Sequence, residues 1–390
     1  MELVLGTHHL LAFGGADTYL MTIAEQLTRL GHGVTIHALE QGETADVARS
    51  RGLVVARSRR ELPEAADGLI AQDAVTAYEL ADRYPAAPLL FVAHSEMFSL
   101  DTPPQLPGVT SAVVAMSDRV ARHVASMSLT LPVIRLRQPI DTARFAPVSA
   151  PRPVAERAAV IGNYLDGPRL DLLLAGLRGA GLEVSRHGGS EPPTSEPEHA
   201  IARADLVVGK GRVVLEAMAC GRAAFVYDFV GSDGWVTAER YPEMEADAFA
   251  GLAVDEPVDA ARLERELAGY DPAMGLVNRD LAVAHHGARE HVQELVGALE
   301  AHAGAEPRPR GPADELAHLV RREWLADSSA YALRRENQEL RGALDYERDR
   351  ADDLERQAKD AYRQLEELRA TRRYRVAGAL GRLPDRLRRR

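Results

Sequence analysis

Short runs of apolar residues, many of them β-branched, alternate with amphipathic stretches along the first 145 residues, and no other feature limits the fold as strongly. This alternation is typical of a parallel sheet covered by helices. The first predicted helix is Asp17–Leu30, which ends at Gly31. Tyr19, Ile23 and Leu27, four residues apart, share one of its faces. The predicted strands are Leu3–Gly6, Val34–His37, Gly68–Ala71, Leu89–Ala93, Val113–Ala115 and Val133–Leu136.

A break in composition separates two similar halves. Four prolines occur between Pro139 and Pro153, and they are incompatible with a continuous helix or a central strand. Because the alternation then resumes, we predict one α/β domain at residues 1–145, a linker at 146–155 and a second α/β domain at 156–306. Ligands bind between such domains at the carboxyl ends of the strands. The predicted elements of the second domain are strands Ala159–Ile161, Val184–Arg186, Leu206–Val208 and Ala224–Tyr227, and helices Arg169–Leu177 and Val213–Ala219.

The C-terminal part carries a heptad pattern after a linker and helix at residues 307–330. Eleven positions from Leu333 to Leu368 are spaced alternately by four and three residues, and nine of them are apolar. The pattern predicts a coiled coil at 331–370, and Asn337 at a seam position favours a parallel homodimer. The alternative is a single helix, solvated or packed on the body, because alanines and Glu347 weaken the seam.

Charge is distributed unevenly along the chain. The formal net charge is −11, but residues 371–390 hold eight arginines and one aspartate, which leaves −18 for residues 1–370. A body this acidic repels polyphosphate backbones, so we expect no nucleic acid partner. The basic amphipathic tail at 371–390 has two open interpretations, peripheral contact with an anionic membrane surface or a solvated end.

Cys220 is the only cysteine, so an intrachain disulfide and a cysteine-based metal site are excluded and a reducing compartment is favoured. Glu2, the histidines and the glycines interrupt the uncharged start of the chain, which argues against a signal peptide. No run of about 18 apolar residues exists that would span a membrane. We therefore expect a cytoplasmic protein, peripheral at the inner membrane surface if the tail binds lipid.

The first half offers two candidate groups for ligand contact. Gly14 and Gly15 lie between the first strand and the first long helix, where glycine allows close backbone approach and the helix start supplies free N–H groups. The spacing is not that of a dinucleotide fingerprint. His8 and His9 are predicted to be polar loop residues, since no nearby carboxylate completes a metal site. His94 ends the strand Leu89–Ala93 and either faces the cleft or is satisfied by loop backbone groups.

The densest candidate site follows the strand ending at Val208. Lys210, Gly211 and Arg212 place two cations and flexible backbone at the start of a helix, an arrangement that suits a diphosphate. Glu216 lies one turn beyond Arg212, where it either accepts hydrogen bonds from a ligand hydroxyl or pairs with Arg212. It is not a Walker loop, because Gly211 stands where Ser or Thr is required.

A further segment follows the strand Ala224–Tyr227. Asp233 and Gly234 lie in it, and a strand end of this kind faces the cleft. The segment is either a donor-sugar loop or an ordinary turn.

Four segments in this order resemble the GT-B glycosyltransferases of family four and together cover about residues 1–300. They are Gly14-Gly15-Ala16-Asp17 with Gly31-His32-Gly33-Val34-Thr35, then Val113-Val114-Ala115-Met116-Ser117, then Gln138-Pro139-Ile140-Asp141-Thr142-Ala143-Arg144-Phe145-Ala146-Pro147, and last Leu215-Glu216-Ala217-Met218-Ala219-Cys220-Gly221.

The resemblance implies two Rossmann-like domains that face a cleft, with the acceptor held by the first and a UDP- or GDP-sugar by the second. It implies a transfer without metal or other cofactor, to a glycan or lipid-linked acceptor of cell-envelope or polysaccharide synthesis. Glu216 would bind the nucleotide ribose, His94 would lie near the transferred sugar, and Gly14 and Gly15 would approach the donor phosphates or the acceptor. Lys210 and Arg212 are our candidates for stabilising the leaving diphosphate.

Two departures from the family pattern bear on the activity. Val208 stands eight residues before Glu216, where the family usually has a glutamate that contacts the donor sugar, and the second domain's first loop offers only Arg169 for an Arg/Lys pair. The retaining outcome that the family implies depends on this region. Two alternatives follow, a catalytically silent GT-B scaffold and a GT-B sugar-nucleotide epimerase.

Overall fold

The computed structural model describes residues 1–96, 99–127, 129–163, 165–189, 196–304 and 313–370. The strands of the first half are β1 (Glu2–Leu10), β2 (Gly33–Gln41), β3 (Val54–Ala56), β4 (Gly68–Ala71), β5 (Leu89–Ala93), β6 (Ala112–Ala115) and β7 (Val133–Arg135). Its helices are α1 (Gly15–Arg29), α2 (Glu43–Ser50), α3 (Ala74–Arg83) and α4 (Asp118–Ser126). The strands form one parallel sheet in the order β3-β2-β1-β4-β5-β6-β7, which confirms the six predicted strands.

The second half repeats this plan with fewer strands. They are β8 (Arg157–Ile161), β9 (Glu183–His187), β10 (Leu206–Gly209), β11 (Ala223–Tyr227) and β12 (Ser232–Trp235). The helices are α5 (Gly167–Gly179), α6 (Pro197–Arg203), α7 (Arg212–Ala219), α8 (Tyr241–Ala246), α9 (Ala260–Leu267), α10 (Ala273–His285) and α11 (Ala288–Ala301). The sheet order is β12-β11-β10-β8-β9, and only β12 runs antiparallel to its neighbour among the described strands.

The helix α11 joins the core of the first half, although it follows the whole second half in sequence. Val292, Leu295 and Leu299 are fully buried in the same apolar cluster as Leu5 and Ile23. Burial of three large aliphatic side chains contributes about 1.5–3 kcal/mol each. The two halves are therefore held together by packing as well as by the linker.

The structure corrects one element boundary that matters for the site. β1 continues to Leu10 because β2 extends alongside it, with Leu10 paired to Gln41. His8 and His9 are therefore strand residues, not the loop residues that the sequence predicted. His8 is buried against Trp324, with ring centroids 4.0 Å apart.

α12 (Ala313–Ala370) is a helix of 58 residues. Near its start, Leu316, Val320 and Trp324 pack against an apolar cluster of the first half. Residues 331–370 form a separate unit in which the seam leucines are exposed. The predicted helix is thus present, whereas its pairing into a coiled coil stays a prediction. Within the described residues, no helix has both the length and the apolarity that a membrane span needs.

Candidate functional site

The strand order of each sheet reverses at one point, and the carboxyl ends of the two strands at that point form the usual ligand crevice of an α/β sheet. The reversal lies between β1 and β4 in the first sheet and between β8 and β10 in the second. Asn163 follows β8 and donates a hydrogen bond across the interface to the carbonyl of Phe13, which precedes α1 (3.0 Å). The carboxyl ends of β1 and β8 therefore meet at one interface between the halves, and the two crevices beside them define the candidate interdomain cleft.

A row of polar side chains lines the first crevice. The amide of Gln72, which follows β4, donates to Thr7 Oγ1 at 2.8 Å, and its carbonyl oxygen lies 3.1 Å from His94 Nε2. Since that oxygen accepts, His94 carries its proton on Nε2 and presents Nδ1 as an acceptor. Burial, and secondarily the charge of Arg212, lower the pKa of His94 to about 4, so the ring is neutral at pH 7. His94 thus follows β5 with Gln72 as its hydrogen-bond partner, and its contact with a ligand in the cleft stays a prediction.

The orientation of His94 depends on two buried residues that the sequence analysis missed. The Tyr19 ring packs edge-on against His94 with centroids 4.8 Å apart, and its hydroxyl lies 3.0 Å from His291 Nε2. Burial lowers the pKa of His291 to about 3, so the ring is neutral at pH 7 and shares one hydrogen bond with the Tyr19 hydroxyl. Helix α11 thus supports a cleft residue through α1.

Gly14 and Gly15 start α1 beside this row. Gly14 is the N-cap residue, and its carbonyl accepts from the backbone N–H of Thr18 at 3.0 Å. A Cβ built on Gly15 meets nothing within 4 Å, so the backbone there is open to close approach. The predicted role of both glycines in donor binding remains a prediction, and this open position is compatible with it.

A carboxylate lies closer to His9 than the sequence indicated. Asp17 Oδ1, in the first turn of α1, lies 3.6 Å from His9 Nδ1. Burial raises the pKa of Asp17 to about 6, while the charge of His9 opposes that rise. The extension of β1 carries His9 to the start of α1 and so brings one carboxylate beside the ring, which by itself does not complete a metal site.

Lys210 lies at the second crevice, directly after β10. Its ammonium forms an ion pair with Asp228, which follows β11, and lies 4.7 Å from the centre of the Phe229 ring. The side chain is 33% exposed. Gly211 has a φ of 57°, a left-handed conformation that favours glycine, and its N–H donates to the carbonyl of Phe249. Lys210 is thus a partly exposed cation at the cleft edge that is paired with the buried carboxylate of Asp228.

Arg212 occupies a different place from the one the sequence suggested. Its guanidinium is buried and donates to Glu216 Oε1 at 3.1 Å, to the carbonyl of Pro139 at 3.1 Å and to Thr22 Oγ1 at 2.8 Å. The prediction that Arg212 binds a diphosphate needs correction, because these acceptors hold the side chain inside the interface between the two halves. The alternative pairing of Arg212 with Glu216 is the one observed.

Glu216 is buried with Arg212 at the interface between the two halves. Burial raises its pKa, and the nearby guanidiniums of Arg212 and Arg144 oppose that rise. Arg144 itself forms two hydrogen bonds with the Glu198 carboxylate, at 2.8 and 2.9 Å. A ribose contact at Glu216 therefore requires the carboxylate to keep Arg212 as its partner while its second oxygen meets the ligand.

Asp233 and Gly234 lie in strand β12, not in the loop that the sequence predicted. Gly234 pairs with Val226 of β11, and the Asp233 carboxylate accepts from the backbone N–H of Val254 at 2.9 Å. Asp233 is fully buried. The strand forms because β11 offers an unpaired edge, which outweighs the turn-like composition of Ser232–Trp235. The predicted contact of Asp233 and Gly234 with a donor sugar is not supported, because the Asp233 side chain is buried and Gly234 is paired within the sheet.

A separate polar cavity of about 520 Å³ lies beside α1. It is lined by three arginines, three glutamates and three other residues: Arg29, Arg51, Arg144, Glu25, Glu196, Glu198, Thr28, Gly52 and Leu53. Arg29 donates to Asp141, which lies between β7 and β8, at 2.7 Å, and Arg144 pairs with Glu198. The cavity is thus a charge-paired groove where the segment between β7 and β8 passes α1, and sequence spacing gave no sign of it.

Comparison with known proteins gives likeness in fold only. No protein-family model matches the sequence, and no curated protein sequence matches it. The structure of HepE from Anabaena in complex with UDP and glucose superposes with a TM-score of 0.54 at 13% identity, over 77% of this chain and 100% of that one. An α-glucosyltransferase in complex with UDP and a 13-mer DNA containing an HMU base superposes with a TM-score of 0.52 at 12% identity, over 77% and 99%. These neighbours are GT-B glycosyltransferases, and the chain has their fold.

Proposed function

We propose that the protein is a glycosyltransferase that moves a sugar from a nucleoside diphosphate donor to a hydroxyl acceptor. The observation that carries the proposal is the opposition of two sheet crevices in one cleft, one with Lys210 at the start of α7 and the other with neutral His94. The neighbours in complex with UDP support a UDP-sugar as the donor to test first, with a GDP-sugar second.

The second half would hold the donor. Lys210 and the N–H groups at the start of α7 supply positive charge for a diphosphate. The stabilisation that this charge provides increases as the leaving group develops negative charge. We propose that Glu216 receives the ribose hydroxyls, and that Gly14 and Gly15 approach the phosphates from the first half. Fixed charge of this kind provides the stabilisation that a metal ion supplies in other transferases, so we expect activity in the presence of a chelator.

The first half would hold the acceptor beside His94. A neutral imidazole with Nδ1 as acceptor suits a hydrogen bond from a sugar or acceptor hydroxyl. We propose a glycan or lipid-linked acceptor of cell-envelope or polysaccharide synthesis, transfer with retention, and action on the cytoplasmic side of the membrane. The arginine-rich tail, which lies outside the described residues, is the segment that would contact anionic lipid.

Incubation with nucleotide sugars tests the proposal against its alternatives. A thermal shift screen against UDP and GDP selects the nucleotide, since a ligand of the native state raises the apparent melting temperature. The selected sugar nucleotide is then incubated with and without acceptor glycans. A transferase releases nucleoside diphosphate faster when acceptor is present. An epimerase converts the donor without acceptor, and a scaffold leaves it unchanged, so either result contradicts the proposal.

A further inference from the structure

The outer face and the seam of residues 331–370 differ sharply in chemistry. Six leucines lie on the seam and are between 44% and 65% exposed: Leu333, Leu340, Leu344, Leu354, Leu365 and Leu368. Six ion pairs within the helix involve mostly residues away from the seam. A helix of about 60 Å with a continuous exposed apolar seam gains stability when that seam is covered.

The heptad positions follow from the spacing. Leu333, Leu340, Leu354 and Leu368 fall at d positions, and Asn337, Leu344 and Leu365 at a positions. In a parallel pair in register, each layer brings a residue against its own copy. Asn337 then faces Asn337 of the second copy, where the two amides satisfy each other. An antiparallel overlap instead places Asn337 against a d residue near the far end, Ala361 or Leu368.

The flanking charges are complementary in the same arrangement. A g residue of one helix meets the e residue five positions later on the other in a parallel coiled coil. Glu336 therefore meets Arg341 of the second copy, and Arg350 meets Glu355. The remaining g and e pairs join Ala343 with Arg348, Gln357 with Tyr362, and Gln364 with Arg369, none of which is like-charged.

We propose that residues 331–370 bind a second copy of this chain as a parallel, in-register coiled coil. Asn337 and the two interhelical charge pairs specify the orientation, and the leucines supply the buried area. Glu347 at a d position is a charged core residue, and Arg350 lies 3.5 Å from it in the same helix; the alanines at core positions reduce the buried area. This inference does not depend on the proposed enzymatic activity.

Sedimentation velocity of the full chain tests whether it is a dimer. The proposal predicts a concentration-dependent dimer, and a monomer at all accessible concentrations overturns it. Glu347→Leu should lower the dimer dissociation constant by about tenfold or more, because the two negative charges that face each other in the core are removed. An unchanged dissociation constant in that variant, measured over a dilution series in which the parent dissociates, also contradicts a seam between two copies.

Charge variants test the register. Glu336→Arg places an arginine against Arg341 of the second copy on both sides of the dimer, so we expect the dissociation constant to rise by about tenfold. Glu336→Arg combined with Arg341→Glu restores opposite charges and should bring the constant back to within a few-fold of the parent. Equal weakening in both variants rules out this pairing.

Cysteine crosslinking tests the orientation. Ala361→Cys at a d position lies within disulfide reach of its own copy in a parallel pair, whereas an antiparallel overlap separates the two by about 30 Å. The native Cys220 is buried, so the parent chain is the background control. Arg363→Cys, on the outer face, is the matched control. Rapid crosslinking of Ala361→Cys alone supports the proposal, and equal crosslinking of both variants, or of neither, contradicts it.

Discussion

Replacing Arg212 with Met removes one side of a buried ion pair within α7 and also the hydrogen bond that Arg212 donates to Thr22 of the first half. Arg212 is 7% exposed and Glu216 is 4% exposed, with a guanidinium to carboxylate distance of 3.1 Å. The substitution leaves the Glu216 carboxylate buried without this partner and removes a donor from Thr22 and Pro139. Loss of one partner of a buried pair costs about 3–5 kcal/mol. In a body of 330 residues, whose entropy of unfolding is roughly 0.7 kcal/mol/K, the melting temperature should fall by roughly 4–7 °C.

The double variant Arg212→Met/Glu216→Gln separates the charge effect from lost packing. Since neither side chain is then charged, we expect it to recover at least half of the free energy of unfolding lost in Arg212→Met. Urea denaturation monitored by circular dichroism measures the free energy of unfolding of the parent, Arg212→Met, Glu216→Gln and the double variant. A stabilising role for the buried pair is contradicted if Arg212→Met is as stable as the parent, or if the double variant is less stable than Arg212→Met.

Three further variants test the site and its support. His8→Phe should raise the free energy of unfolding by about 1–3 kcal/mol at pH 7, because within the described residues neither buried ring nitrogen of His8 has a hydrogen-bond partner. Burial lowers the pKa of His8 to about 4, so the folded state keeps His8 neutral and its stability declines as the pH falls from 6.5 toward 4. The increase in the free energy of unfolding from His8→Phe should therefore be larger at pH 5 than at pH 7. Urea denaturation that shows the opposite trend contradicts the burial of a neutral His8. Tyr19→Phe keeps the ring contact with His94 but loses the hydroxyl that meets His291, so kcat should fall by about tenfold while KM for the donor is unchanged; equal turnover in steady-state assays would show that Tyr19 does not position His94. Lys210→Ala should lower turnover by about 10²- to 10³-fold with the fold intact by circular dichroism, and parental turnover would remove Lys210 from the mechanism.

The sheet strands were predictable because burial on both faces produces continuous apolar runs such as Leu89–Ala93. Two strands were missed for physical reasons. β3 is a three-residue edge strand, and β12 has a turn-like sequence that pairs only because β11 presents an open edge. Periodicity gave α1 to within two residues, since its buried face carries an uninterrupted apolar stripe.

The site was only partly predictable, because spacing places a residue on an element without giving its tertiary partners. His94 and Lys210 lie at strand ends, where the sequence put them. Arg212 was assigned to a ligand because no local signal shows that Thr22, 190 residues earlier in the chain, accepts its hydrogen bond. Gln72 and His291 act through contacts between distant segments, which no local motif encodes.

Calorimetric titration of UDP measures whether Lys210 binds a nucleoside diphosphate, and the chain provides its own control. Lys210 and Lys359 are its two lysines, and Lys359 pairs with Glu355 on the exposed C-terminal helix. We expect UDP to bind one site per chain, Lys210→Ala to weaken this binding at least tenfold, and Lys359→Ala to leave it unchanged. Equal UDP affinity in Lys210→Ala and the parent chain would contradict the placement of the diphosphate at the start of α7.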